Sequence, residues 1–382
     1  MKTHKNVISF IREIYKTNDL INLHEPSFDH KDLSQLRRTL ESTFVSTSGK
    51  QINQFELDLK KLTLSQDVIS TVNGTSAIHL ALILSDIKNR DLVLTPSFNF
   101  VAACNAISYQ GAEPVFIDIS KSSLGICPIA AEEFLSENAK LDSNGNCFEK
   151  NSKRRIKALI GMHTFGHPFD VFKIKKVCKK WNLNFIEDAA ESLGSYYKDK
   201  HTGSFGNYGT LSFNGNKIIT TGGGGAIMCK NKKDGKLARH LSTTAKKRSV
   251  DFYHDRVGYN YRMPNLNAAL GCSQLNKLES KLSSKRKIAN LYENFFKDSD
   301  YTFIKEPSYA KSNYWLNAVL MPNLKERDNF IKSTNSAGII TRPSWYLMHK
   351  LPMFKKCLKG NLKNSHEIWK RLVSLPSSPR EF

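Results

Sequence analysis

The stretch "DVISTVNGTSAIHLALIL", residues 67–84, decides the fold. Its first half is a short, β-branched apolar run, and its second half is an apolar segment of helix length. Between them stands a Gly-Thr-Ser junction. The same grammar repeats outward. "DLVLTP" (91–96) leads into "NFVAACNAIS" (99–108), "EPVFIDI" (113–119) follows, "IKALIGMH" (156–163) leads to "DVFKIKKVCKKW" (170–181), and "LNFIEDAA" (183–190) comes next. Strands alternating with helices imply an α/β protein with a mostly parallel sheet covered on both faces. Ligands of such sheets bind beyond the carboxyl ends of the strands, so the residues just after each strand carry the functional information.

The chain has 382 residues, 40% of them hydrophobic, enough to bury a substantial core, and a large domain plus a smaller one is expected. We place a large domain with an N-terminal arm at 1–245 and a smaller α+β domain at 246–382. "GNCFEKNSKRRIK" (145–157) reads as an exposed connection. The formal charge of +22 raises the possibility of a nucleic-acid or membrane-surface partner. Its clusters are short and scattered, and Lys173, Lys175, Lys176, Lys179 and Lys180 have helical spacing with Val177 and Trp181 facing inward. A solvated face is the preferred reading, and a basic chain also suits a small phosphorylated substrate.

Seven cysteines without a CxxC pair argue for reduced thiols in a cytoplasmic protein. The N-terminus lacks the apolar core of a signal peptide. No apolar run reaches the roughly 18 residues of a membrane span. His163 and His167 in "HTFGH" have metal-ligand spacing for a helix, but Gly166 and Pro168 break any helix there and no metal is expected.

Read at the strand ends, the chemistry converges. Gly74, Thr75 and Ser76 offer backbone N–H groups and hydroxyls at a helix N-terminus, suited to a phosphate or simply to an N-cap. Asp188 ends an apolar strand, as a ligand-site acid or a structural cap. Phe98 and Phe100 are candidates for core packing or for stacking on a planar ligand. "SFNGNKIITTGGGG" (212–225) adds the Ser212 hydroxyl and sets Lys217 before four glycines that allow a tight turn. Phosphate cradle, flat aromatic, acid and lysine together form the inventory that pyridoxal 5'-phosphate requires. No competing nucleotide motif survives, since "GK" at 49–50 is followed by Gln51 rather than Ser or Thr.

Motifs spread over nearly the whole chain, in order, carry a resemblance. They are "LHEPSF", "STFVSTSGKQINQFE", "NGTSAIHLAL", "PSFNFVAACNAISYQGAEPVFIDI", "GHPFD", "FIEDAAESLGS", "GSFGNYGTLSFNGNKIITTGGGGAI", "HDRVGYNYRMPNLNAALGCSQL" and "TRPSW". The chain resembles the DegT/DnrJ/StrS sugar aminotransferases, pyridoxal phosphate enzymes of aspartate aminotransferase fold (fold type I) acting on nucleotide-linked keto sugars. The resemblance implies that Lys217 occupies the Schiff-base position and that Thr75, Ser76 and Ser212 hold the phosphate. Phe100 would stack on the ring, Asp188 would pair with the pyridinium, and Glu191 would lie near the phenolic oxygen. It implies a homodimer in which the "GYNYR" loop enters the neighbouring site, so that Asn260 completes the other phosphate site with Arg262 nearby. Arg342, Trp345 and His349 would border the sugar nucleotide. The implied reaction is transamination at C4 of a UDP-linked 2-acetamido-4-keto-2,6-dideoxyhexose with glutamate as donor. The alternatives are a GDP-4-keto-6-deoxymannose aminotransferase, a dehydratase, against which Lys217 argues, and a non-catalytic sensor of the same fold.

Overall fold

The structure, a computed structural model, describes residues 3–381. Its centre is a seven-stranded sheet built from β1 (Asp67–Thr71), β2 (Leu92–Pro96), β3 (Glu113–Ile117), β4 (Ile156–Met162), β5 (Asn184–Asp188), β6 (Tyr208–Ser212) and β7 (Gly225–Cys229), in the order β1-β7-β6-β5-β4-β2-β3. β2 through β6 run parallel, and β7 is antiparallel to both β6 and β1. The sheet is therefore mostly parallel, as the alternation of apolar runs implies. Successive residues face opposite layers, and both layers are apolar. Phe185 packs on one face with Leu92, Leu94 and Phe169, while Ile186 packs on the other with Val93, Ile69 and Leu80. A strand buried on both sides must be apolar throughout, which is why these runs lack the polar alternation of a half-exposed strand.

Register aligns the site. Thr71 and Ser212 both pair with Gly225, and Thr210 pairs with Asp188, so four strands end together at one edge of the sheet. Helix Gly74–Leu84 starts at this edge, capped by the Asn73 side chain, which accepts the Ser76 N–H at 2.8 Å. Gly225 is required by close approach, because a Cβ there would lie 2.5 Å from the Asn73 carbonyl.

A second, four-stranded antiparallel sheet is formed by Thr302–Phe303, Asn317–Leu320, Leu372–Leu375 and Arg342–Pro343, in that order. Its core gathers Tyr292 and Phe330 and also Val7 and Ile11 from the N-terminal helix His4–Tyr15. Helix Asn265–Leu275 packs with Phe55 and Phe213 in the core beside the large sheet. Two segments thus cross between the cores. The stretch 145–157 meets the expectation of an exposed connection at residues 150–153 and differs from it before them. Cys147–Glu149 pairs antiparallel with Ala139–Leu141, Cys147 and Glu149 are buried, and Glu149 accepts the N–H groups of Asn151 and Ser152 at 3.0 and 2.6 Å. Its polar composition is used in satisfying a tight turn. No helix among the described residues is long and apolar enough to cross a membrane.

Candidate active site

Thr75, Phe100, Asp188, Glu191, Ser212, Lys217 and Trp345 line one cavity of about 380 Å³ at the carboxyl edge of the large sheet. Asp188 closes β5, where its carboxylate accepts the Ala190 N–H at 3.1 Å, and burial raises its pKa. Five residues beyond the end of β6, the hairpin between β6 and β7 is pinned by Phe213 N–H to Gly224 O at 2.8 Å and Thr221 N–H to Phe213 O at 2.9 Å. That hairpin brings Lys217 back over the cavity. Its Nζ stands 3.4 Å from Glu191 Oε1 and 4.0 Å from the centre of the Trp315 ring, whose indole N–H donates to Asn216 O at 2.7 Å. The amine is thus boxed between a carboxylate and an aromatic face.

Glu191 accepts the Phe165 N–H at 2.9 Å through its other oxygen. Phe165 is held at φ 57°, a conformation costing an ordinary residue about 1–3 kcal/mol, and one that the surrounding structure over-determines. Burial pushes the Glu191 carboxyl up to about 7, against the opposing pull of Lys217. An acid with a raised folded pKa binds its proton more tightly in the native state. Its stabilising contribution is full below the ordinary value of 4.5 and is lost as pH rises through about 7. Cofactor-free protein should therefore lose stability through this group as pH rises from about 5 to about 8. Glu191→Gln should remove that component of the pH dependence of melting temperature, and an unchanged slope in the variant would refute it.

Behind the site, Glu187 is fully enclosed. It accepts N–H groups from Gly203, Phe205 and Gly206 at 2.9, 2.6 and 2.7 Å and pairs with His163 Nε2 at 3.0 Å. Burial opposes its charge, but these donors outweigh it and keep the carboxyl below the usual range. His163 also stacks on Phe169, and His167 packs edge-on against Tyr314.

The other sequence candidates are distributed as follows. Ser76 is buried, and its N–H is taken by Asn73. Phe98 is core, against Trp345. Arg342 and Trp345 line an adjoining cavity of about 700 Å³ that shares Asn216, Trp315 and Trp345 with the first. His349 borders neither cavity. It hydrogen-bonds Ser97 Oγ at 2.6 Å and packs on His366, and burial lowers its pKa to about 4. Asn260 is exposed, paired with Thr243 on the loop before Arg262, and Arg262 lines a third cavity of about 570 Å³ with Arg38 and Lys50. Sequence reading missed Trp315, Asn216 and Asn73. Only Asn73 had a local signal, an Asn directly before a helix.

The geometry fits pyridoxal phosphate. A Cβ at Gly74 would stand 3.0 Å from the Ser212 Cβ, so glycine keeps the cradle between helix start and hydroxyl open. Asp188, Glu191, Lys217 and Phe100 line the same cavity, and two carboxyl groups, an amine and an aromatic face are a set whose chemistry fits a flat, basic, electrophilic ring. Fold and site define a pyridoxal phosphate-dependent aminotransferase of fold type I. More narrowly, the chain belongs to the DegT/DnrJ/EryC1/StrS aminotransferase family, which it matches over residues 26–380.

It is 33% identical to the GDP-perosamine synthase of Escherichia coli O157:H7, over 94% of this chain and 93% of the relative. It is 29% identical to the UDP-4-amino-4,6-dideoxy-N-acetyl-beta-L-altrosamine transaminase of Campylobacter jejuni, over 94% and 92%. Among solved structures, Helicobacter pylori PseC, an aminotransferase involved in the biosynthesis of pseudoaminic acid, has the same fold, with a TM-score of 0.84 at 24% identity over 94% of each chain. This protein is a sugar aminotransferase.

Proposed function

We propose that the protein transfers an amino group from glutamate to C4 of UDP-2-acetamido-4-keto-2,6-dideoxyglucose, acting as a cytoplasmic homodimer. One observation carries this reading. The cavity holding Lys217 and Asp188 adjoins a second cavity of about 700 Å³, bordered by Arg342 and Trp345, with room for a bulky anionic substrate beside the reacting amine. In the proposed division, 1–245 supplies the cofactor's anchors and 246–382 supplies Trp315, Arg342 and Trp345.

Pyridoxal phosphate supplies an electron sink conjugated to the reacting C–N bond. In our assignment Thr75, Ser76, Ser212 and the start of helix Gly74–Leu84 bind the phosphate. Phe100 would cover the ring, Glu191 would serve its phenolic oxygen, and Asp188 would favour the protonated form of its nitrogen. Lys217 would hold the cofactor through its amine and, once free, would be the base that moves the proton at the substrate carbon, for the amino donor and for the keto sugar alike.

Asn260 and Arg262 we assign to the neighbouring subunit's site. The hairpin preceding them, with Val250 95% and Val257 83% exposed, favours burial against a second copy. The UDP reading rests on the full "SFNGNKIITTGGGG" signature with the "LHEPSF", "STFVS" and "LPSSP" segments and has support from the Campylobacter relative. The GDP-4-keto-6-deoxymannose reading is favoured by the perosamine synthases. A panel of both keto sugars decides: amination of the UDP sugar is expected, and amination of the GDP sugar alone rejects our assignment.

A further inference from the structure

Resting on the proposed transfer to a keto sugar, we infer that His24 is the side chain that holds the sugar ring of the second substrate, a specificity-determining contact delivered by the N-terminal arm. His24 belongs to the run Asn22–Glu25, which forms one wall of the 700 Å³ cavity facing Arg342. Both ring nitrogens are shut off from solvent and have no hydrogen-bond partner among the described residues. A shielded imidazole with neither nitrogen satisfied is costly, so the position calls for a function beyond packing.

The arm is not a loose tail. Ile21 N–H donates to Gly338 O at 2.9 Å and Ile340 N–H to Ile21 O at 2.8 Å, while Ser377 N–H donates to Leu23 O and Glu25 N–H to Ser378 Oγ, both at 2.8 Å. The residues on either side of His24 are stitched to segments flanking the smaller sheet, so its ring is positioned before any ligand arrives.

Its surroundings define what it can bind. Burial, then the cations Lys285, Lys281 and Lys217, lower its pKa well below the ordinary value, so the imidazole is neutral and offers one donor and one acceptor. A neutral ring suits an uncharged hydroxyl or acetamido group, whereas the exposed Arg342 across the cavity suits the diphosphate. Placement at the reacting end follows from its neighbours. Lys285 Nζ donates to the Trp315 carbonyl at 3.1 Å, the Trp315 ring lies under Lys217, and Lys217 is itself close enough to perturb His24. The sugar, not the base, is the part of the substrate that must come within reach of Lys217.

The test uses holoenzyme and whichever keto sugar the wild type aminates, UDP-linked or GDP-linked. His24→Phe keeps the ring's bulk and removes both hydrogen-bonding atoms. It should raise KM for the keto sugar ~10-fold or more, the worth of about one hydrogen bond. His24→Gln, which restores a donor and an acceptor, should recover most of that loss. Inhibition by the free nucleoside diphosphate and the rate of the glutamate half-reaction should stay within about twofold, because neither involves the sugar ring. Unchanged KM in an active His24→Phe overturns the inference. So does a loss shared equally by the glutamate half-reaction and the nucleotide, which would mark a structural role. If His24→Phe fails to retain cofactor, His24→Ala reads the same contact. A wild type that aminates neither sugar while its glutamate half-reaction proceeds refutes the proposed substrate class, and this inference with it.

Discussion

Lys217→Ala should lose sugar amination by about 10⁴-fold or more and should purify without the visible absorbance of enzyme-bound cofactor, because in our assignment one side chain both attaches the cofactor and moves the proton. The variant should nonetheless fold. In the native chain Lys217 lies 3.4 Å from Glu191 and pulls its pKa downward against burial. Without that cation the carboxyl is protonated at neutral pH, so no uncompensated charge remains buried. The Trp315 ring loses a cation from its face, but its indole N–H bond to Asn216 O does not involve the lysine. Absorbance with added pyridoxal phosphate, circular dichroism and an amination assay check the three parts. A folded variant that aminates the sugar at the wild-type rate would overturn the assignment of Lys217.

The sequence was most informative where the chemistry sits at strand ends. Asp188 ends one apolar run and the Gly74–Ser76 junction follows another, so finding those strands located them, whereas Ser212 was found through its motif with Lys217; one parallel and two antiparallel pairings bring all three to one edge. The antiparallel turn of β7 was not legible, because Gly225–Cys229 is as apolar as its parallel neighbours. Contacts made across the chain left no local trace either. Trp315 reaches Lys217 from 98 residues away, and the only hint in "SNYWLNAVL" is a tryptophan. Nothing in residues 4–15 reveals that Val7 and Ile11 pack beside Tyr292 and Phe330. His349 shows the converse. Its motif places it beside Arg342 and Trp345, yet backbone direction turns it toward Ser97, where the Ser97 hydroxyl and the His366 ring account for it. Within 145–157, residues 150–153 are exposed as expected, but the buried pairing of Cys147–Glu149 was not legible, because a turn whose polar groups are internally satisfied has the composition of an exposed loop.

Asp188→Asn should keep the visible band and lower the rate of the glutamate half-reaction by about 10²–10³-fold, the size of effect seen when one preorganised electrostatic partner of a developing charge is removed. Asparagine preserves the shape and can still accept the Ala190 N–H at 3.1 Å, so the strand end should not rearrange. What it cannot do is balance a positive ring nitrogen. In the native chain burial raises the pKa of Asp188, and Lys217 and His163 act in the opposite direction. Its carboxylate is therefore costly to keep charged unless a cation faces it, and in our assignment a protonated ring nitrogen would supply that cation. The neutral amide removes the incentive for the nitrogen to hold its proton, and with it much of the stabilisation of negative charge at the reacting carbon. Single-turnover absorbance with glutamate measures this directly. A rate near wild type would mean that Asp188 is only a strand cap. The paired outcome separates the two roles: Lys217→Ala should lose band and rate together, whereas Asp188→Asn should lose rate alone.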